Sequence, residues 1–211
     1  MEEFRTTNRV AEEMDQLGIS YRFTDPTGVI AEIKGTKGES DKCVLLRADM
    51  DALNIQEETG LPFSSEEAGK MHACGNDTHT AMLFGAAKIL QQMRDQFAGT
   101  VRLVFQPAEE TDGGADRMIK AGCLESPHVD HVIGYHVDPE LIAGTIGTKH
   151  GYMMTRYLSF DGNYVRPSAT ATPYYVYVTP TPTPYYVYVT PTPTPLVQYI
   201  TPVPQNTPVP P

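Results

Sequence analysis

Residues 69–82, "GKMHACGNDTHTAM", gather His72, Cys74, Asn76, Asp77 and His79 into one short segment. Thiolate and imidazole are good ligands for ions such as zinc, manganese or cobalt, whereas an asparagine carbonyl is a weak neutral donor. Two further places carry compatible chemistry. "FQPAEETDGG", residues 105–114, sets Glu109 beside Glu110 directly after an apolar run, and "VIGYHV", residues 132–137, closes on His136. In extended chain, neighbouring side chains point opposite ways, so one glutamate can bind an ion while the other takes a proton from water. "RADMD", residues 47–51, adds Asp49 and Asp51, which share a side if the strand persists. Each feature alone has an ordinary explanation: a solvated acidic loop, an inert buried thiol, a strand-end histidine. Their order and spacing together carry the signal of a metal-type site.

The elements that must position these residues are legible around them. "EEFRTTNRVAEEMDQLG" spaces Phe4, Val10, Met14 and Leu17 as one face of a helix, with Gly18 as its stop. "ISYRFT" and "GVIAEIKG" read as strands joined by a turn at "DPTG". "CVLLRADMD" begins as a continuous apolar run, which suits a fully buried strand. "THTAMLFGAAKILQQMRDQF" reads as a helix with Asp77 or Thr78 as N-cap. "TVRLVFQP" is a strand stopped at Pro107, "GADRMIKAG" a short helix ended by Gly122, "VDHVIGYHV" a strand, and "GTIGTKHG" another. Strands alternating with helices predict an α/β fold with a largely parallel sheet. Cys74, the Glu109–Glu110 pair and His136 then fall at strand ends, where ligand sites of open α/β sheets lie.

The 211 residues carry 26 acids against 16 bases, a formal net charge of -10, and only Asp161 and Arg166 of these charges lie beyond residue 160. An acidic body without a basic run argues against a nucleic-acid partner. No apolar segment is long enough to span a bilayer, and the charged N-terminus lacks a signal core, so no membrane association is expected. Three widely spaced cysteines, Cys43, Cys74 and Cys123, argue for a reducing compartment, hence the cytoplasm.

Composition changes after about residue 160. "TPYYVYVTPTP" occupies residues 172–182 and recurs unchanged at 183–193, followed by the decayed copy "TPLVQYITPVP". Thr-Pro alternation removes backbone donors and favours extended, unstructured chain. The uncharged "YYVYV" islands have the opposite character and are candidates for strand pairing.

"LLRADMDALNIQEETGLPFSSEEAGKMHACGNDTHTAMLFGAAKIL", with "GTVRLVFQPAEE", "MIKAGCLE" and "GYHVDPELIAGTIG", resembles the amidohydrolase branch of the dinuclear metallopeptidase and aminoacylase family. That branch contains hippurate, N-acyl-amino-acid and auxin-conjugate hydrolases. The resemblance spans residues 2–155. It implies an α/β partial catalytic domain of a dinuclear zinc-peptidase-like fold over residues 1–158, followed by a disordered low-complexity tail over 159–211. Position by position it implies Glu109 as the base, with Cys74, Glu110 and His136 as metal ligands and Asp51 as their orienting carboxylate. His79 also matches a family position.

The family pattern H-A-C-G-H-D here reads His72-Ala73-Cys74-Gly75-Asn76-Asp77, so Asn76 stands at a degenerate ligand position. The implied cofactor is a divalent ion (manganese, zinc or cobalt), with one ion or none in this chain. The implied substrate is a small N-acyl amino acid or peptide, cleaved at its amide bond. The family's inserted domain and the segment returning from it are not visible here, and the resemblance carries nothing on oligomeric state. The alternative expectation is therefore an inactive, truncated family member with a degraded metal site. A third, resting on composition alone, is a Pro-rich tail bound in aromatic-lined grooves.

Overall fold

The computed structural model describes residues 2–111, 113–148, 174–178 and 198–200. The chain divides into two units, Met1–Val137 and Asp138–Pro211. The first opens with α1 (Phe4–Leu17), which buries Thr7, Val10, Ala11 and Met14 along one face. Gly18 ends it at φ 64°, and the Ile19 N–H reaches back to the Met14 carbonyl at 2.9 Å, the left-handed stop that glycine supplies without a Cβ penalty. Phe4, expected on the inner face, is 55% exposed because it stands on the first, outermost turn.

Five strands and two further helices follow this start. β1 (Ser20–Phe23) and β2 (Val29–Lys34) form a hairpin, β3 (Cys43–Asp49) leads through a long loop to α2 (Asn76–Gln92), and β4 (Thr100–Gln106) follows. After α3 (Gly114–Lys120), β5 (His131–Gly134) completes the five-stranded sheet, in the order β1-β2-β4-β3-β5. β3 runs parallel to both β4 and β5, while β2 pairs antiparallel with β1 and β4. The sheet is therefore mixed, not largely parallel. Alternating burial along a strand is the same for either partner direction, so the sequence pattern did not separate them.

Period-two alternation sorts the strand residues onto two cores. Val29, Ala31, Ile33, Ala48, Leu103 and Phe105 pack with Val10 and Met14 of α1 and Leu83 and Ala87 of α2. Ile30, Cys43, Leu45 and Val104 face the other way, toward Met118 of α3 and Cys123. Arg102, 1% exposed, lies between residues assigned to the first face. Its guanidinium meets Glu32 at 2.6 Å and donates to the carbonyls of Cys123, Glu125 and Pro127 at 2.9, 2.9 and 3.2 Å.

In the second unit β6 (Ile146–Thr148) pairs antiparallel with β7 (Tyr174–Val178), which pairs parallel with β8 (Gln198–Ile200). β7 is the first "YYVYV" island. The boundary expected at residues 158–159 lies outside the described residues, as does most of the segment expected to lack structure. Among the described residues, no helix is long and apolar enough to cross a membrane.

Candidate functional site

Because β3, β4 and β5 are parallel, their carboxyl ends share one edge of the sheet. Asp49 and Asp51 follow from β3, Glu109 and Glu110 from β4, and His136 lies just beyond β5. α2 enters the same place with its N-terminus. Its buried face is Asn76, His79, Thr80, Leu83 and Ala87, polar in the first turns and apolar beyond. The N-cap is Gly75 at φ 97°, with no side-chain cap, rather than Asp77 or Thr78. The Asp77 carboxylate instead accepts from the next N–H, that of Thr78, at 2.8 Å. A side chain at Gly75 would be strained by that φ, and its Cβ would come within 2.5 Å of Val137 Cγ2. The close approach seats the helix against the segment after β5. The helix also stops at Gln92, short of the expected Phe97.

The loop after β4 is held in an uncommon shape. Ala108, buried, has φ 49°, a left-handed conformation that costs a Cβ-bearing residue about 1 kcal/mol or more. Its N–H donates to Glu3 at 3.2 Å, and its carbonyl accepts from Gly114 N–H at 3.0 Å. A Cβ on Gly114 would lie 1.7 Å from the Pro107 carbonyl oxygen, so only glycine closes this loop. Two residues on, the Glu110 N–H donates to Asp51 Oδ2 at 2.9 Å. Glu109 and Glu110 thus sit in a bend pinned on both sides, not in the extended chain assumed from the sequence.

Cys74 Sγ lies 3.2 Å from His136 Nε2. Burial pushes the Cys74 thiol up to about 12, reinforced by hydrogen bonding to Glu110 and by the charges of Glu110, Glu109 and Asp49. Glu109 reaches solvent, and partial desolvation followed by the Glu110 charge holds its carboxyl above the ordinary carboxylate range. Asn76, 1% exposed, donates Nδ2–H to the Asp51 carbonyl at 3.0 Å. That bond fixes the amide orientation and leaves Asn76 Oδ1 without a partner. Among the described residues, the buried side-chain polar atoms lacking a hydrogen bond are His72 Nδ1, Asn76 Oδ1 and Glu110 Oε1. Asn76 and Glu110 both bond Asp51, and their two unsatisfied acceptors suit a cation or a donor.

The structure brings Cys74 to both His136 and Glu110, and Asp51 to Glu110 and Asn76. Among the described residues, however, no group of three His, Cys, Asp or Glu side chains forms a ready-made ion cluster. Two residues given no role from the sequence are central. His79, fully buried, places Nδ1 2.6 Å from Asp49 Oδ1, and Val137 N–H donates to its Nε2 at 2.9 Å. Asp49 Oδ2 in turn meets the Arg47 guanidinium at 2.7 Å. A groove of about 930 Å³ borders the site, with Asp51, His72, Arg5, Arg9 and Lys70 among its walls.

The sequence and the fold are shared with known proteins. Residues 45–205 match peptidase family M20/M25/M40, and the chain belongs to that family. It is 47% identical over 155 residues to N-acetyl-L-cysteine deacetylase of Bacillus subtilis, covering 72% of this chain and 36% of that one. It is 45% identical over 154 residues to the IAA-amino acid hydrolase ILR1-like 4 of Arabidopsis thaliana, covering 72% and 34%. The crystal structure of the Bacillus subtilis YXEP protein, described as a dinuclear metal-binding peptidase of the M20 family, superposes with a TM-score of 0.68. Its sequence identity is 45%, and the match covers 72% of this chain and 42% of that one. The chain thus spans about a third to two fifths of the length of these relatives.

Proposed function

We propose that this chain carries the core of a metal-dependent amidohydrolase site acting on N-acyl amino acids. Glu109 is the base, Cys74, Glu110 and His136 would hold a divalent ion of manganese, zinc or cobalt, and Asp51 orients them. The observation that carries the reading is the meeting of thiol, imidazole and paired glutamates at three parallel strand ends, with unsatisfied acceptors at Asn76 and Glu110. When bound, such an ion polarises the amide carbonyl and makes water a stronger nucleophile.

The chain's own residues supply the rest. Glu109, raised above the ordinary carboxylate range, is a better base than a solvated glutamate and can return the proton to the leaving amine. His136 Nδ1–H donates to the Val137 carbonyl at 2.5 Å, which leaves Nε2 as the lone pair facing Cys74, the usual arrangement of a ligating histidine. The groove is of small-molecule size. Free thiols at Cys43, Cys74 and Cys123 support a cytoplasmic location.

A second reading, a family member with a degraded site, is favoured by Asn76 and by the lack of a three-donor cluster among the described residues. Titration with manganese, zinc and cobalt, alongside release of benzoate from hippurate and acetate from N-acetyl amino acids, separates the two. The first reading expects ion binding that Cys74→Ala and His136→Ala weaken. It also expects Glu109→Gln to cut turnover roughly 10²–10⁴-fold with ion affinity kept. Ion binding without turnover selects the second reading, and absence of both overturns the assignment of the donors.

A further inference from the structure

We propose that His79 is a positioning residue that, by anchoring the backbone of Val137, sets which nitrogen of His136 faces Cys74. The inference rests on the reading of His136 as a donor. Val137 lies between the two imidazoles. Its N–H donates to His79 Nε2 at 2.9 Å, and its carbonyl accepts from His136 Nδ1 at 2.5 Å. A backbone N–H can only donate, so His79 Nε2 carries no proton. The proton of His79 is on Nδ1, where Asp49 Oδ1 accepts it at 2.6 Å. A backbone carbonyl can only accept, so the proton of His136 is also on Nδ1. The His136 Nε2 lone pair then faces Cys74 Sγ at 3.2 Å.

The tautomers of both rings follow from the two backbone polar groups of one residue, Val137. The surroundings reinforce it. Arg47 holds the second oxygen of Asp49, and Tyr135 Oη donates to the His79 carbonyl at 3.0 Å. The rings of His79 and His136 lie 4.5 Å apart, and Gly75 lets α2 approach Val137. Asp49, His79, Val137 and His136 are therefore linked residue by residue from the end of β3 to the thiol, with the Val137 backbone as the joint.

Two-bond proton–nitrogen NMR of the metal-free, nitrogen-15-labelled chain reads both tautomers directly. The expected result is the Nδ1–H form for His79 and for His136. An Nε2–H form at either ring in the parent chain overturns the inference. His79→Phe keeps the ring volume and removes both bonds. It should leave His136 as a mixture of tautomers and weaken cobalt binding about 10–100-fold. His79→Gln, which keeps an acceptor for the Val137 N–H, should retain most of both properties. An unchanged His136 tautomer with parental cobalt affinity in a folded Phe variant overturns the proposal. Should the Phe variant not fold, the parent tautomers and the Gln variant decide, and loss of the His136 tautomer in a folded Gln variant overturns it. Because the tautomers are read without metal, a chain that neither binds cobalt nor hydrolyses amides would refute the functional reading and still leave this inference decided by NMR.

Discussion

Arg102 and Asn76 are each 1% exposed, but their surroundings are organised in opposite ways. Around Arg102 the guanidinium reaches Glu32 and three carbonyls, and none of its polar atoms is left over. Around Asn76 two polar atoms, Asn76 Oδ1 and Glu110 Oε1, are buried without a partner beside Asp51. Each such atom costs about 1–3 kcal/mol of desolvation, so a fold under selection for stability alone would not group them. A saturated network marks a place that holds the chain together. An unsaturated one marks a place arranged for something that arrives from outside. In this chain the unsaturated region coincides with the motif residues, and the saturated one does not.

The sharpest way to break the contrast is Arg102→Met. Glu32 is 42% exposed, so its ion pair with Arg102 contributes little in water. The cost comes from stranding the carbonyls of Cys123, Glu125 and Pro127, and should reach about 3 kcal/mol in urea denaturation. Whatever ion affinity the parent has should survive at temperatures where the variant is folded. A next, smaller effect comes from Asn76→His. The new ring can donate Nδ1–H to the Asp51 carbonyl as the amide does, which frees Nε2. Divalent-ion affinity should rise about 10–100-fold by calorimetric titration. Unchanged affinity would separate position 76 from the ion site.

The smallest effect is in Cys74 reactivity. Its thiol is raised to about 12, so the reactive thiolate stays scarce until the medium is strongly alkaline. Glu110→Gln removes a charge that favours the protonated form and replaces one carboxylate oxygen by an NH2 donor, so the pKa should fall. Iodoacetamide labelling at about pH 8 should accelerate about tenfold for each unit of that fall. No acceleration would mean that Glu110 does not hold the thiol in its protonated form.

Much of the framework was legible because apolar runs and breakers speak locally: β2, β3, β4 and the glycine stop of α1 all lie where pattern places them. Strand direction was not, since β2 pairs with β4 some seventy positions on, antiparallel, and nothing in "GVIAEIKG" encodes that. The motif residues Cys74, Asn76, Glu109, Glu110 and His136 were visible as types and spacings. The role of His79 was not. Its partners are Asp49, 30 positions away, and Val137, 58 positions away. The available signal was the spacing of positions 76, 79, 80, 83 and 87, which places His79 on the inner face of α2.

Among the described residues β5 pairs only with β3, and Val132 and Ile133 are 60% and 51% exposed. A strand with one partner and little cover is where a sheet frays first. The segment that follows it, residues 135–137, supplies one side of the site. A ligand held between Cys74 and His136 would therefore act as a clasp on this edge strand. It would slow amide exchange in β5 by the free energy of its binding, while the strands on the far side of the sheet would hardly register its presence.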